Sequence, residues 1–148
     1  MGNGLSHAKD ANAMFRVTRE IEFCYGHRLL NYEGKCRHLH GHNGRAVVTL
    51  EGPRLDERGM LVDFGEIKRK IQRWIDEEID HNMLLCREDP LLPLLRERGE
   101  RVFVMDENPT AENIARLIFD HGRDAGLPVV KVELWETPNC FATYSGEG

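Results

Sequence analysis

At 148 residues, with a formal net charge of -5, 41% hydrophobic and 30% charged residues, the chain has the composition of one ordinary globular domain. That balance excludes a general attraction for nucleic acid, and no apolar run approaches the ~20 residues of a membrane-spanning helix. Cys24, Cys36, Cys86 and Cys140 lack paired spacing and no secretory signal precedes them, so they read as reduced thiols of a cytoplasmic protein rather than a disulfide framework.

Residues 1–12 are expected to form a flexible tail, and 13–148 a single domain. The opening MGNGLS fits the myristoylation pattern through Gly2 and Ser6, but no basic second membrane signal follows, so it reads as a tail rather than an anchor. From Met14 to Tyr25 the apolar Phe15, Val17, Ile21 and Phe23 recur at period two, broken only by Arg19, which predicts a half-buried strand. A second strand, RAVVTLE, is predicted over Arg45 to Glu51 and closed by Gly52-Pro53, with His-Gly-His in the connection. After the turn signal DERG comes a short predicted strand, MLVDF, and then a helix from about Gly65 to Ile79, where Ile67, Ile71, Trp74, Ile75 and Ile79 share one face. Asp63 with Glu66 resembles a capping box.

The stretch from Asn82 to Val104, interrupted by Pro90 and Pro93, reads as loop. A second helix is expected after Pro109-Thr110, ending at Gly126; the strands VVKVELWET and CFATY close the chain. The order β-β-α-α-β-β predicts an α+β domain with a four-stranded antiparallel sheet.

The segment GKCRHLHGH, Gly34 to His42, concentrates the candidate chemistry. In extended backbone His40 and His42 project from one face, and His27, at the end of the first strand, is the natural third imidazole. Three histidines with an open fourth position suit a catalytic zinc ion. His38 has the same parity and competes as a ligand, whereas His7 and His121 read as tail and helix-end residues. Cys36 fits either a fourth ligand that closes the site or a free thiolate acting as general base. Asp80-His81 reads either as a helix terminus or as a carboxylate orienting an imidazole for proton transfer. Glu136 shares parity with Val132 and Leu134; it is either a strand-end acid in solvent or a carboxylate gripping an amidine-like N–H edge, as in a pterin.

Four segments in order, FCYGHRL, CRHLHGHN, LVDFGEIK with IDHNML, and ENPTAENIA followed by WETPNC, resemble the 6-pyruvoyl-tetrahydropterin and 6-carboxytetrahydropterin synthase family, which has the tunnelling fold. The resemblance covers nearly all of residues 14–144 and implies two helices on one face of the sheet. It implies His27, His40 and His42 as zinc ligands, Cys36 as catalytic thiolate, and Asp80 with His81 as proton relay. Glu136 would anchor the pterin, helped by the Glu107 to Thr110 segment. It further implies a homo-hexamer, a dimer of trimers with the active site at a subunit interface, acting on 7,8-dihydroneopterin triphosphate, with no nucleic-acid or membrane partner. The spacing Cys-x-x-x-His-Gly-His resembles the carboxy-forming enzymes of the queuosine pathway; pyruvoyl formation is the alternative, and a non-catalytic zinc-stabilised oligomer a third reading. Tyr25-Gly26 and the leucine-rich stretch near Leu91 depart from the family pattern, and Arg28, Lys35 or Arg37, unranked, could receive triphosphate.

Overall fold

The computed structural model describes residues 13–146, so the tail expected over 1–12, with Gly2, Ser6 and His7, lies outside the described residues. The elements are β1 (Phe15–His27), β2 (His40–Gly52), α1 (three consecutive helical pieces, Phe64–Ile67, Lys68–Gln72 and Ile75–Ile79), β3 (Asn82–Cys86), α2 (Leu91–Glu97), β4 (Val102–Met105), α3 (Ala111–Asp124), β5 (Val129–Thr137) and β6 (Cys140–Tyr144). A single helical turn, Lys35–Arg37, interrupts the connection between β1 and β2. No described helix is long and apolar enough to cross a membrane.

The fold is α+β, but its sheet has six strands in the order β4-β3-β1-β2-β5-β6, not the four expected. The four strands read from alternation form the antiparallel part; β3 and β4, in the segment read as loop, add parallel to β1. Both are short apolar runs, NMLLC and VFVM, without alternation. A parallel strand covered on both faces gives no period-two signal. The prolines that argued for loop serve α2 instead: Pro90 caps it and Pro93 lies in its first turn, where a missing N–H costs nothing. The expected strand MLVDF is absent, because Met60 closes a turn in which the Asp56 carboxylate accepts from the N–H groups of Arg58 and Met60, and Phe64 already belongs to α1.

Ile21, Phe23 and Tyr25 of β1, Ala46, Val48 and Leu50 of β2, and Val132 and Leu134 of β5 face α1 and α3 across one core. In α1 the isoleucines recur at strict fourfold spacing, Ile67, Ile71, Ile75 and Ile79, and all are fully buried. On an ideal α-helix that spacing drifts by about 40° per step. Here the turns over Lys68–Gln72 and Ile75–Ile79 are widened, with Arg73 N–H reaching Lys68 O and Asp80 N–H reaching Ile75 O, which keeps the isoleucines on the core side. Asp63 caps the helix by accepting from Gly65 N–H at 2.8 Å, but Glu66 pairs with Arg69 and Lys70 instead of closing the capping box. In α3, Thr110 accepts from Asn113 N–H at 3.1 Å, and Gly126, at φ 88°, ends the helix.

One ion pair ties the added strands to the end of β1. Arg28, next to His27, donates to both oxygens of Asp89 at 2.8 and 2.5 Å. Burial alone would push the Asp89 carboxyl up, yet the bonds from Arg28 and from Leu91 N–H outweigh it and hold the group below the ordinary carboxylate value. Arg28 is thus committed and is not a free receiver for triphosphate.

Two outcomes test this framework. Ile71→Ala should lower the unfolding free energy by about 2–5 kcal/mol, read from the urea midpoint at constant slope. Because Asp89 is depressed in the folded chain, its stabilisation is present above the unfolded pKa of about 3.9 and is lost as pH falls through the folded value. Asp89→Asn should therefore flatten that part of the acid limb in a pH series of urea midpoints, whereas an unchanged limb would mean the pair contributes nothing.

Candidate metal centre and proton-transfer pair

The antiparallel ladder between β1 and β2 extends beyond the predicted strands to include the histidines. His27 lies opposite His40, and Tyr25 opposite His42. All three imidazoles therefore share the face of Phe23, Ala46 and Val48, just past the end of the apolar core. Their ring centroids are 4.5 Å (His27–His40) and 5.1 Å (His27–His42 and His40–His42) apart, and one ligand atom from each lies within 4.8 Å of the others.

Hydrogen bonds orient two of the rings. His27 Nδ1–H donates to Pro109 O at 2.6 Å, and His40 Nδ1–H to His38 O at 2.7 Å, which leaves the Nε2 lone pair of each free. Nε2 of His27 and of His42 is buried without any hydrogen-bond partner. A buried unsatisfied nitrogen is costly unless something else meets it, and these two, with the His40 imidazole beside them, fit a cation with nitrogen affinity. Burial, the largest influence, pushes the His27 pKa down and favours the neutral form that a metal ligand requires.

Glu136 stands at the rim of this cluster. Its oxygens lie 3.9 Å from His27 Nε2 and 3.8 Å from His42 Nε2, and Oε1 accepts from the Tyr25 hydroxyl at 3.2 Å. Burial, then the Glu136 charge, drives the Tyr25 pKa above its ordinary value, so Tyr25 remains a hydrogen-bond donor. Cys36 lies half-buried in the turn Lys35–Arg37, with its carbonyl accepting from Leu29 N–H at 2.8 Å, and its sulfur is outside the three-histidine group. The exposed His38 ring receives Arg37 Nε–H at 3.2 Å; its contribution to the cluster is the carbonyl that orients His40.

Asp80 and His81 meet β1 at its edge, just before the β3 pairing begins. Asp80 Oδ2 accepts from His81 Nδ1–H at 2.7 Å, while Oδ1 accepts from Cys24 N–H at 2.9 Å. His81, in the left-handed region at φ 60°, donates its own N–H to Cys24 O at 2.7 Å. The helix end is thus clamped to the strand, and the imidazole keeps Nε2 available. Among the described residues no hydrogen bond joins Cys36 to Asp80 or His81. A cleft of about 740 Å3 is lined by Cys24 and His81 together with His40 and His42.

Glu107 and Thr110 are occupied locally: Glu107 pairs with Arg116, and Thr110 caps α3. Between them, Asn108 exchanges hydrogen bonds with the Leu30 backbone at 2.9 and 3.0 Å, and Pro109 supplies the carbonyl for His27. Pro109, Tyr25 and Cys24 are site residues that the sequence reasoning missed. The parity of Tyr25 with His27 carried a signal; Cys24 and Pro109 gave none, since their partners lie far along the chain.

A family model described as 6-pyruvoyl tetrahydropterin synthase matches residues 16–147. A 6-carboxy-5,6,7,8-tetrahydropterin synthase of Rickettsia bellii is 38% identical over 139 residues, 86% of this chain and 98% of that protein. One of Haemophilus influenzae is 32% identical over 139 residues, 88% and 99% of the two chains. Among solved structures, an uncharacterized protein of Wolinella succinogenes aligns with TM-score 0.75 at 29% identity, covering 91% of this chain and 99% of that one. The 6-pyruvoyl tetrahydropterin synthase of Caenorhabditis elegans aligns with TM-score 0.69 at 24% identity over 91% and 97%, a likeness of fold. With the tunnelling fold and a family match across nearly all the described residues, the chain belongs to the 6-pyruvoyl tetrahydropterin synthase family.

Proposed function

We propose that the chain is a zinc-dependent lyase that converts 7,8-dihydroneopterin triphosphate and water to 6-carboxy-5,6,7,8-tetrahydropterin, acetaldehyde and triphosphate. The observation that carries the reading is the set of three converging imidazoles, two of them (His27 and His42) with buried, unpartnered Nε2 atoms, found in a chain whose relatives are named for the carboxy product. The Cys-x-x-x-His-Gly-His spacing supports that product over the pyruvoyl one.

His27, His40 and His42 would hold the zinc ion. Zinc bound there supplies a Lewis acid that lowers the pKa of substrate side-chain hydroxyls and stabilises negative charge on their oxygens. Cys36, outside the ligand set, is free to act as the base that removes a proton from a side-chain carbon. His81 moves protons through Nε2, with Asp80 fixing its tautomer through Nδ1–H. Glu136 accepts from the N–H edge of the pterin ring, while the Glu107 to Thr110 segment forms the adjoining wall and holds His27 in place. Among the described residues no hydrogen bond joins Cys36 to Asp80 or His81, which supports a reading in which the thiol and the relay meet across subunits of a dimer of trimers. Lys35 and Arg37, both exposed at the same turn, remain as receivers for triphosphate.

Metal-loaded protein incubated with dihydroneopterin triphosphate should yield the carboxypterin and acetaldehyde, identified by mass. A pyruvoyl product would assign triphosphate elimination instead, and zinc retained without any turnover would mark a binding protein. Cys36→Ala should keep its zinc while turnover drops by about 10²–10⁴-fold. Loss of the metal in that variant would make the thiol a ligand and overturn its assignment as base.

A further inference from the structure

Cys24, Asp80 and His81 each offer a ligand atom within 4.8 Å of the other two: a sulfur, an oxygen and a nitrogen. Cys24 lies on the face of β1 opposite Tyr25 and His27, so this group shares no side chain with the three-histidine cluster. The fold builds the group through the backbone, since Cys24 N–H donates to Asp80 Oδ1 and its carbonyl accepts from His81 N–H. The thiol reaches only Asn43 Oδ1, at 3.0 Å, and the His81 side chain, 69% exposed, can turn toward a guest without disturbing the core.

We propose that Cys24, Asp80 and His81 form a second site for a thiophilic divalent cation, zinc or cadmium, whose filling removes His81 from proton transfer. One thiolate, one imidazole and one carboxylate with room for water is a donor set that zinc accepts, and the sulfur disfavours magnesium and calcium. On binding, the thiol releases its proton to solvent as the metal–sulfur bond forms. The surroundings tolerate the added charge. Glu22 lines the adjoining cleft of about 420 Å3, where among the described residues the one lining cation, Arg45, is turned to Glu20 at 3.8 Å and lies over the Trp135 ring at 4.8 Å, and on the larger cleft Arg101 is accompanied by Glu100. The binding half stands on this geometry alone; the inhibitory half rests on the part given to His81 under the proposed function.

Metal-free full-length protein titrated with zinc, with bound metal counted after equilibrium dialysis, tests the first half without any substrate. Wild type should bind about one equivalent more per chain than Cys24→Ser. Substituting cobalt should give a thiolate-to-metal absorption band that Cys24→Ser abolishes and Cys36→Ala retains. His40→Ala should lose the other equivalent and keep this one. Equal binding by wild type and Cys24→Ser, or a thiolate band that survives Cys24→Ser, overturns the site, whether or not the protein makes a pterin. For the second half, zinc beyond the first equivalent should slow turnover at least tenfold in wild type and leave Cys24→Ser unchanged. Cys24-dependent binding that does not slow turnover would overturn the inhibition and keep the site.

Discussion

The register between β1 and β2 is the constraint on which the rest of the molecule depends. Pairing His27 with His40 and Tyr25 with His42 brings three imidazoles and the tyrosine that holds Glu136 to one face at the end of the core. A slip of one residue would carry one strand's entire set to the opposite face. Such a slip is opposed by the apolar residues on the same parity, Ile21 and Phe23 against Ala46 and Val48, which would be driven into water. The same alternation that buries the core therefore positions the nitrogens, and hydrophobic burial stabilises a group of polar atoms that would repel water-free surroundings if left alone.

The second polar group depends on where α1 stops. Its widened turns carry four isoleucines along the core and deliver Asp80 to the edge of β1, where the chain reverses through a left-handed His81. β1 thus has histidine on one face and an acid-imidazole pair clamped to its edge. Both groups border the same cleft, yet among the described residues no hydrogen bond joins Cys36 to the pair, which is the physical reason to look to a neighbouring subunit for the thiol's partner.

Much of this was legible from residue spacing. Parity placed β1, β2 and β5 and put His40, His42 and Glu136 on inward faces; the Thr110 cap and Gly126 bounded α3 as written in the sequence. β3 and β4 were not legible, because two short, uniformly apolar runs carry no alternation, and the neighbouring prolines fit helix starts as well as loops. Met60 to Phe64 misled in the opposite direction: Leu61 and Val62 pack on the core from a bend held by the Asp56 turn, while Met60 and Phe64 are exposed. Cys24 went unnoticed since alternation makes it an outward residue, and only the path of α1 reveals its partners. Distances along the chain, 56 residues to Asp80 and 82 from His27 to Pro109, hide such contacts from any local rule.

The bond from Arg28 to Asp89 changes how the excursion through β3, α2 and β4 should be regarded. It resembles an insertion, yet it acts as a strut, since its buried carboxylate grips the residue beside the first histidine. Designers grafting this scaffold can recolour the outer side of α2, where Leu94 is exposed, with little penalty. Trimming the excursion would leave a guanidinium stranded next to His27, so the length of that detour is part of the precision of a centre lying elsewhere in the chain.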